Sequence, residues 1–240
     1  MPLSRKTNPR LWQPTFLVNR ALVRDLRSEI QARFSIEKTP RILDVGCGAL
    51  PYKSLFTRSC REYLGCDLFP GTDGVVRCSA EELSFQSETF DAVLSFQLLE
   101  HVRRPWKVVQ ECARVLKKGG LLLLTAPFMF PHHSSPNDFF RYTHEGLSAL
   151  AGDAGFEVES ITAQCSSLST IMLLFNCYLT RPLNWFRRSL LTLPLSWIVS
   201  CGLVVPINLA GLFFDARLLR VPFSKGNEGY SNFLNLCRKA

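Results

Sequence analysis

Two groups of residues in this 240-residue chain have the types and spacing to do chemistry. The first is Ile42-Leu43-Asp44-Val45-Gly46-Cys47-Gly48, with Asp67 at the end of the next apolar segment. A strand that runs into Gly46-Cys47-Gly48 lets backbone approach a ligand closely, because glycine tolerates angles that a Cβ forbids. A helix opening after such a turn offers free N–H groups. An acid one βαβ step later is placed to accept hydrogen bonds from two ribose hydroxyls. Asp67 stands 19 residues after Gly48. These residues predict a site for a nucleoside-like ligand, with the Gly46-Cys47-Gly48 turn on one side and Asp67 on the other.

The third glycine of a dinucleotide fingerprint is missing. Ala49, Leu50, Pro51 and Tyr52 follow Gly48, so no nest for a pyrophosphate is written here. That argues against a nicotinamide-dependent oxidoreductase. A ligand with adenosine and no phosphate fits, and S-adenosylmethionine is such a molecule. The second group is His133, Asp138 and Arg141. An imidazole titrates near working pH and suits a general base. Asp138 could orient His133 or bind a sugar hydroxyl, and Arg141 could clamp an anionic group. The alternative for Asp138 and Arg141 is a mutual pair that shapes the loop and caps the next helix. Nine cysteines, an odd number with no CxxC pair, give neither a disulfide framework nor a zinc site, and no metal is expected.

Positioning these residues requires alternating elements. Apolar groups at Phe16, Leu17, Leu22, Val23, Leu26, Ile30 and Phe34 predict a helix over 15–34. Strands are predicted at 41–45, 62–66, 75–78, 90–96, 121–126 and 156–161, with a last one at 230–237. Helices are predicted at 54–56 and 106–116, the latter stopped by Lys117-Lys118-Gly119-Gly120. Another, over 145–154, is capped by Thr143 and closed by Gly155. This order predicts a doubly wound, mostly parallel sheet with helices on both faces.

Apolar residues make up 47% of the chain and charged residues 20%, so a folded core is expected; the net charge is +8. The basic residues are scattered, which argues against nucleic acid as a partner. Residues 160–180 and 189–214 carry no charged side chain. If the strands on either side share one sheet, the chain must leave and return on the same side, so a single membrane crossing is impossible. The expectation is helices on a membrane surface, with Arg181, Arg187, Arg188, Arg217 and Arg220 at lipid headgroups and Trp185 and Trp197 at the interface. A buried cap or a dimer face is the alternative. The thiols suit a reducing compartment, and the N-terminus does not read as a signal peptide. The expected location is the cytoplasm, at the inner face of the membrane.

Taken together, ILDVGCG, EYLGCD, CSAEELSFQSETFDAVLSFQLLEHV, RVLKKGGLLLLTAPF and PHHSSPNDFFRYT give the chain a close likeness. It resembles the class I S-adenosylmethionine-dependent methyltransferases, within them a subgroup found with bacterial glycan and lipid biosynthesis. The resemblance implies a Rossmann-like seven-stranded sheet whose last strand is antiparallel. It implies that Asp44, Gly46 and Gly48 hold the amino-acid end of the cofactor and Asp67 the ribose. It also implies that Ala80 and Glu81 lie beside the adenine, and that Ser95, Phe96 and Gln97 line the neighbourhood of the reacting methyl. Ser79 stands where many relatives carry Asp, which implies a neutral hydrogen bond to the adenine amine and a modest loss of affinity. His132 falls off the subgroup pattern; His101 is expected to pack near the cofactor. The expected organisation is an arm and helix at 1–35, a cofactor-binding domain at 36–162, an apolar helical insertion at 163–224 and a final strand at 225–240.

The expected activity is methyl transfer to a hydroxyl or carboxylate of a small-molecule, glycan or lipid-linked acceptor. Gln97-Leu98 after strand four is not the Pro-Pro-aromatic turn used on amide or base nitrogens, and no Pro-Cys pair stands there. The rivals are an RNA or protein methyltransferase, suggested only by charge, and a non-catalytic membrane-associated cofactor-binding protein.

Overall fold

Strand alternation sorts the core into two layers on one sheet. In the computed structural model, which describes residues 6–34, 39–181, 198, 200–215 and 231–240, the strands are β1 (Arg41–Val45), β2 (Glu62–Asp67), β3 (Val75–Arg77), β4 (Phe90–Phe96), β5 (Leu116–Pro127), β6 (Phe156–Gln164) and β7 (Asn232–Lys239). Their order is β3-β2-β1-β4-β5-β7-β6. β1 to β5 pair in parallel, and β7 runs antiparallel between β5 and β6. This is the Rossmann-like sheet expected above.

Leu43, Val45, Val93, Leu122 and Leu124 face one way, into a cluster with α3 (Pro105–Val115) and α4 (His144–Asp153). Ile42, Ala92, Leu94, Leu121 and Leu123 face the other way, against Leu22, Leu26 and Ile30 of α1 (Phe16–Arg33) and Phe56 of the short α2 (Lys53–Phe56). Both faces are covered, so β5 reads as an unbroken apolar run from Leu121 to Leu124. Each fully buried leucine or isoleucine contributes about 1.5–3 kcal/mol.

Thr143 caps α4, its Oγ1 accepting the Gly146 N–H at 3.1 Å. The Lys117–Gly120 run differs from its reading as a helix stop. The helix ends at Val115, and Leu116 already pairs with Phe90 as the first residue of β5. The next pairing joins Ala92 to Leu121. The run between is therefore a bulge, with Gly119 at φ +73°. Lys117 reaches back to Asp91 at 2.7 Å, holding the bulge against β4.

β6 runs three residues beyond its predicted end, because Thr162, Ala163 and Gln164 all pair with β7. The expected boundary at 162/163 therefore falls inside a strand. Beyond it, α5 (Ser167–Thr180) packs on α6 (Val205–Asp215). Two buried polar contacts join them. The Asn176 side-chain amide donates to Asn208 at 2.9 Å, and the Ser169 hydroxyl to the Gly211 carbonyl at 2.6 Å. Asn208 in turn donates to the carbonyls of Leu11 and Gln13, tying down the N-terminal arm. Among the described residues, no helix is long and apolar enough to cross a membrane. Arg187, Arg188, Arg217, Arg220, Trp185 and Trp197 lie outside the described residues.

Candidate functional site

The sheet order reverses at β1, which pairs with β2 on one side and β4 on the other. Ligands bind in open α/β sheets at such a switch, beyond the carboxyl ends of the strands. A cleft of about 430 Å³ opens there. Gly46, Asp67, Ser79, Ala80 and Glu81 line it from the β1, β2 and β3 side, as do Leu68 and Phe69. Leu98, His101, Val102, Arg103, Asn137 and Phe139 line it from the other side.

Gly46 sits at φ +71°, and a Cβ there would stand 2.6 Å from the Leu98 side chain, so only glycine fits this close approach. The Gly48 N–H donates to Asp67 Oδ2 at 2.8 Å, and the Phe69 N–H to Oδ1 at 2.8 Å. These two bonds fix the acid at the cleft wall. Asp44 is buried and accepts the Tyr63 hydroxyl at 2.7 Å. Burial pushes its carboxyl up to about 7, with the Tyr63 bond opposing. Cys47 is buried against Gly65, and its thiol is pushed up to about 12 by burial, so it is a filler and no nucleophile.

Ser79 Oγ accepts the Glu81 N–H at 3.2 Å. The Glu81 carboxylate is spent on Arg104, whose Nε donates to it at 2.7 Å. Ala80 supplies apolar surface between them. Five of the expected cofactor residues do not line the cleft: Asp44, Gly48, Ser95, Phe96 and Gln97. Ser95 is fully buried in β4. Phe96 packs edge-on against Tyr52, ring centroids 5.2 Å apart. Gln97, at φ +55°, donates its backbone N–H and its side-chain amide to Thr125. These residues set the turn after β4, and the surface they were expected to provide comes from Leu98, His101 and Val102.

The segment 128–143 folds over that turn. The Phe139 N–H donates to the Glu100 carbonyl at 2.7 Å, and the Tyr142 hydroxyl to the Leu99 carbonyl at 3.2 Å. His101 Nδ1 lies 2.6 Å from the Asn137 carbonyl. Asp138, sealed from solvent, takes hydrogen bonds from Arg141 at 2.6 and 2.8 Å and from the His133 N–H at 2.8 Å. Arg141 holds Asp138 far below the usual carboxylate range.

The remaining Arg141 donors go to the carbonyls of Phe130, Pro131 and Phe140. Every N–H of the guanidinium is thus engaged inside the loop. The expectation that Arg141 clamps an anion is corrected on this ground: the pair builds the loop. The arginine that lines the cleft is Arg103, stacked over Phe139 at 5.3 Å. His133 lies one layer behind His101, their rings edge to face at 4.9 Å. Burial holds its imidazole below the usual value, against the opposing pull of Asp138. His132 is mostly exposed.

Sequence reasoning missed Leu68, Phe69, Val102, Arg103 and Phe139. Leu68 and Phe69 follow the ribose acid directly, and an exposed apolar pair after such an acid is a signal that the pattern contained.

A model described as a methyltransferase domain matches residues 43–124. A ubiquinone biosynthesis O-methyltransferase of Xanthomonas oryzae pv. oryzae is 34% identical over 100 residues, 35% of this chain and 42% of that protein. A probable S-adenosylmethionine-dependent methyltransferase of Mycolicibacterium smegmatis is 31% identical over 135 residues, 49% of this chain and 52% of that protein. The chain spans about half the length of such relatives or less. A putative sarcosine dimethylglycine methyltransferase from Galdieria sulphuraria shares the fold, with a TM-score of 0.60 at 16% identity over 92% of this chain and 86% of that one.

Residues 43–124 are a stretch similar to a methyltransferase domain, set in a Rossmann-like sheet, and S-adenosylmethionine is the cofactor that this likeness supports. The residues present fit that group. Gly46 brings its backbone to the cleft at a positive φ, Asp67 stands at the cleft wall for a ribose, and Asp44 lies buried with its carboxyl on Tyr63.

Proposed function

We propose that the chain transfers a methyl group to a hydroxyl, or to a carboxylate, of a small-molecule, glycan or lipid-linked acceptor. The carrying observation is a single cleft with the ribose acid Asp67 on one wall and His101, backed by His133, on the other. Bound there, S-adenosylmethionine supplies an activated methyl group. Asp44, the Gly46–Gly48 backbone and Asp67 hold it, and the Ala80–Val102 walls take the adenine. The acceptor enters beside Phe139, and its proton is handled at the imidazole edge. The printed name of the Xanthomonas relative, an O-methyltransferase, supports an oxygen acceptor. The test is transfer of label from methyl-labelled cofactor into lipid and polysaccharide extracts. Label should appear with the full chain and vanish with Asp67→Ala and His133→Ala. Label entering RNA or protein instead would overturn the acceptor class.

We also infer a peripheral contact with an anionic lipid surface, acting where a lipid-linked acceptor would be met. Leu168, Ile171, Phe175 and Tyr178 recur at helical spacing on α5 and are 44%, 51%, 55% and 57% exposed. Leu209 and Phe213 add a second exposed stripe on α6. Arg181 stands exposed at the end of α5, and the chain carries a net charge of +8. An exposed apolar face of this extent beside cations suits headgroups above and acyl chains below.

A further inference from the structure

We propose that Glu100, His101 and His133 form a binding site for one divalent first-row transition cation at the edge of the cleft. Its catalytic use rests on the methyl-transfer reading; its existence does not. The ligand atoms of these three side chains all lie within 4.8 Å of one another. His101 Nε2 stands 3.7 Å from Glu100 Oε1.

The tautomers follow from the partners. His101 Nδ1 lies 2.6 Å from the Asn137 carbonyl, and His133 Nδ1 lies 3.2 Å from the Pro131 carbonyl. A carbonyl oxygen can only accept, so each Nδ1 carries the hydrogen and each Nε2 keeps a lone pair. A second-shell carbonyl on the far ring nitrogen is how proteins fix histidines that ligate metals.

Glu100 supplies the independent observation. It is fully buried, and neither carboxylate oxygen has a hydrogen-bond partner. A buried carboxylate without a partner is costly. Two imidazole lone pairs beside it offer no donor. A cation bound by all three removes the conflict in one step. Of the two cations that act on it, Arg141 is already paired with Asp138, and Lys6 makes no hydrogen bond to either Glu100 oxygen.

Two nitrogens and one carboxylate oxygen form a mixed set suited to Mn²⁺, Fe²⁺, Co²⁺ or Zn²⁺, with positions left for outside ligands. His101 lines the cleft, so those positions face the acceptor. A cation there lowers the pKa of an acceptor hydroxyl. With both imidazole Nε2 atoms on the cation, the acceptor's proton leaves to water in place of the imidazole edge, the oxygen forms its bond to the methyl carbon, and the carbon–sulfur bond breaks with its electrons staying on sulfur.

The full-length protein, stripped with chelator and desalted, is titrated by calorimetry with MnCl₂ and separately with CoCl₂. S-adenosylhomocysteine is titrated in parallel. The expected result is one cation per chain, lost in Glu100→Gln and in His133→Asn, with S-adenosylhomocysteine binding kept in both. Should Glu100→Gln lose that binding too, His133→Asn carries the test, since 31% of its side chain is exposed and its replacement leaves the core intact. A chain that binds neither cation overturns the proposal, as do variants that bind cation like the parent. Cation binding without S-adenosylhomocysteine binding would sink the methyl-donor reading and leave the cation site standing.

Discussion

Asp138 and Arg141 form a two-pronged ion pair whose carboxylate is sealed from solvent and whose guanidinium is saturated by its own loop. Arg141→Lys removes most of those bonds and leaves Asp138 short of partners. The expected cost is about 3 kcal/mol, the low end for a broken buried pair, because 27% of the Arg141 side chain is in water. For a chain of this size that lowers the melting temperature by about 6–12 °C. Differential scanning calorimetry checks it. Unchanged stability with a raised KM for an anionic acceptor would mean that Arg141 grips substrate.

Burial keeps Asp44 protonated up to about 7. Below that pH the cofactor's ammonium meets a neutral carboxyl. Affinity for S-adenosylhomocysteine should therefore fall by up to about tenfold per pH unit below 7 and level off above it. Stability moves the opposite way. Between the ordinary 3.8 and about 7 the folded chain holds this proton more tightly than the unfolded chain, so stability declines as pH rises through that window. Calorimetry across pH 6–8 reads the first effect, and Asp44→Asn should flatten it.

Ser79 lines the cleft with a neutral hydroxyl that accepts the Glu81 N–H. Ser79→Asp puts a charged acceptor in its place. Affinity for S-adenosylhomocysteine should rise by about 1 kcal/mol, roughly fivefold. Unchanged or weaker binding would show that Ser79 does not meet the adenine.

The exposed stripe on α5 predicts flotation with anionic vesicles at low salt. Phe175→Asp should return the protein to the unbound fraction, and added salt should weaken the parent's binding. Full recovery of the parent in the unbound fraction would sink the membrane reading.

The sheet and the cofactor turn were legible because both depend on local signals. Apolar runs of strand length alternate with helical periodicity, and Gly46, Gly48 and Asp67 keep their spacing whatever surrounds them. The Lys117–Gly120 bulge was misread because a cationic, glycine-rich run after a helix carries the same local chemistry as a helix stop. Only pairing of Leu116 with Phe90 makes it strand. Ser95, Phe96 and Gln97 fall outside the cleft lining, and a strand end does not reveal which way its turn carries the following residues. Gln97 turns back to Thr125, and the cleft wall passes to Leu98 and His101. The Glu100–His101–His133 cluster was invisible in the sequence. It exists only because the 128–143 segment folds onto the turn after β4 through Asn137, Phe139 and Tyr142.

Calorimetric titration with S-adenosylhomocysteine and with NAD, with Asp67→Ala as control, tests the central claim most directly. The expected result is one equivalent of S-adenosylhomocysteine bound, no NAD bound, and affinity lowered by about 2–3 kcal/mol in Asp67→Ala. Tight NAD binding with no binding of S-adenosylhomocysteine would contradict it.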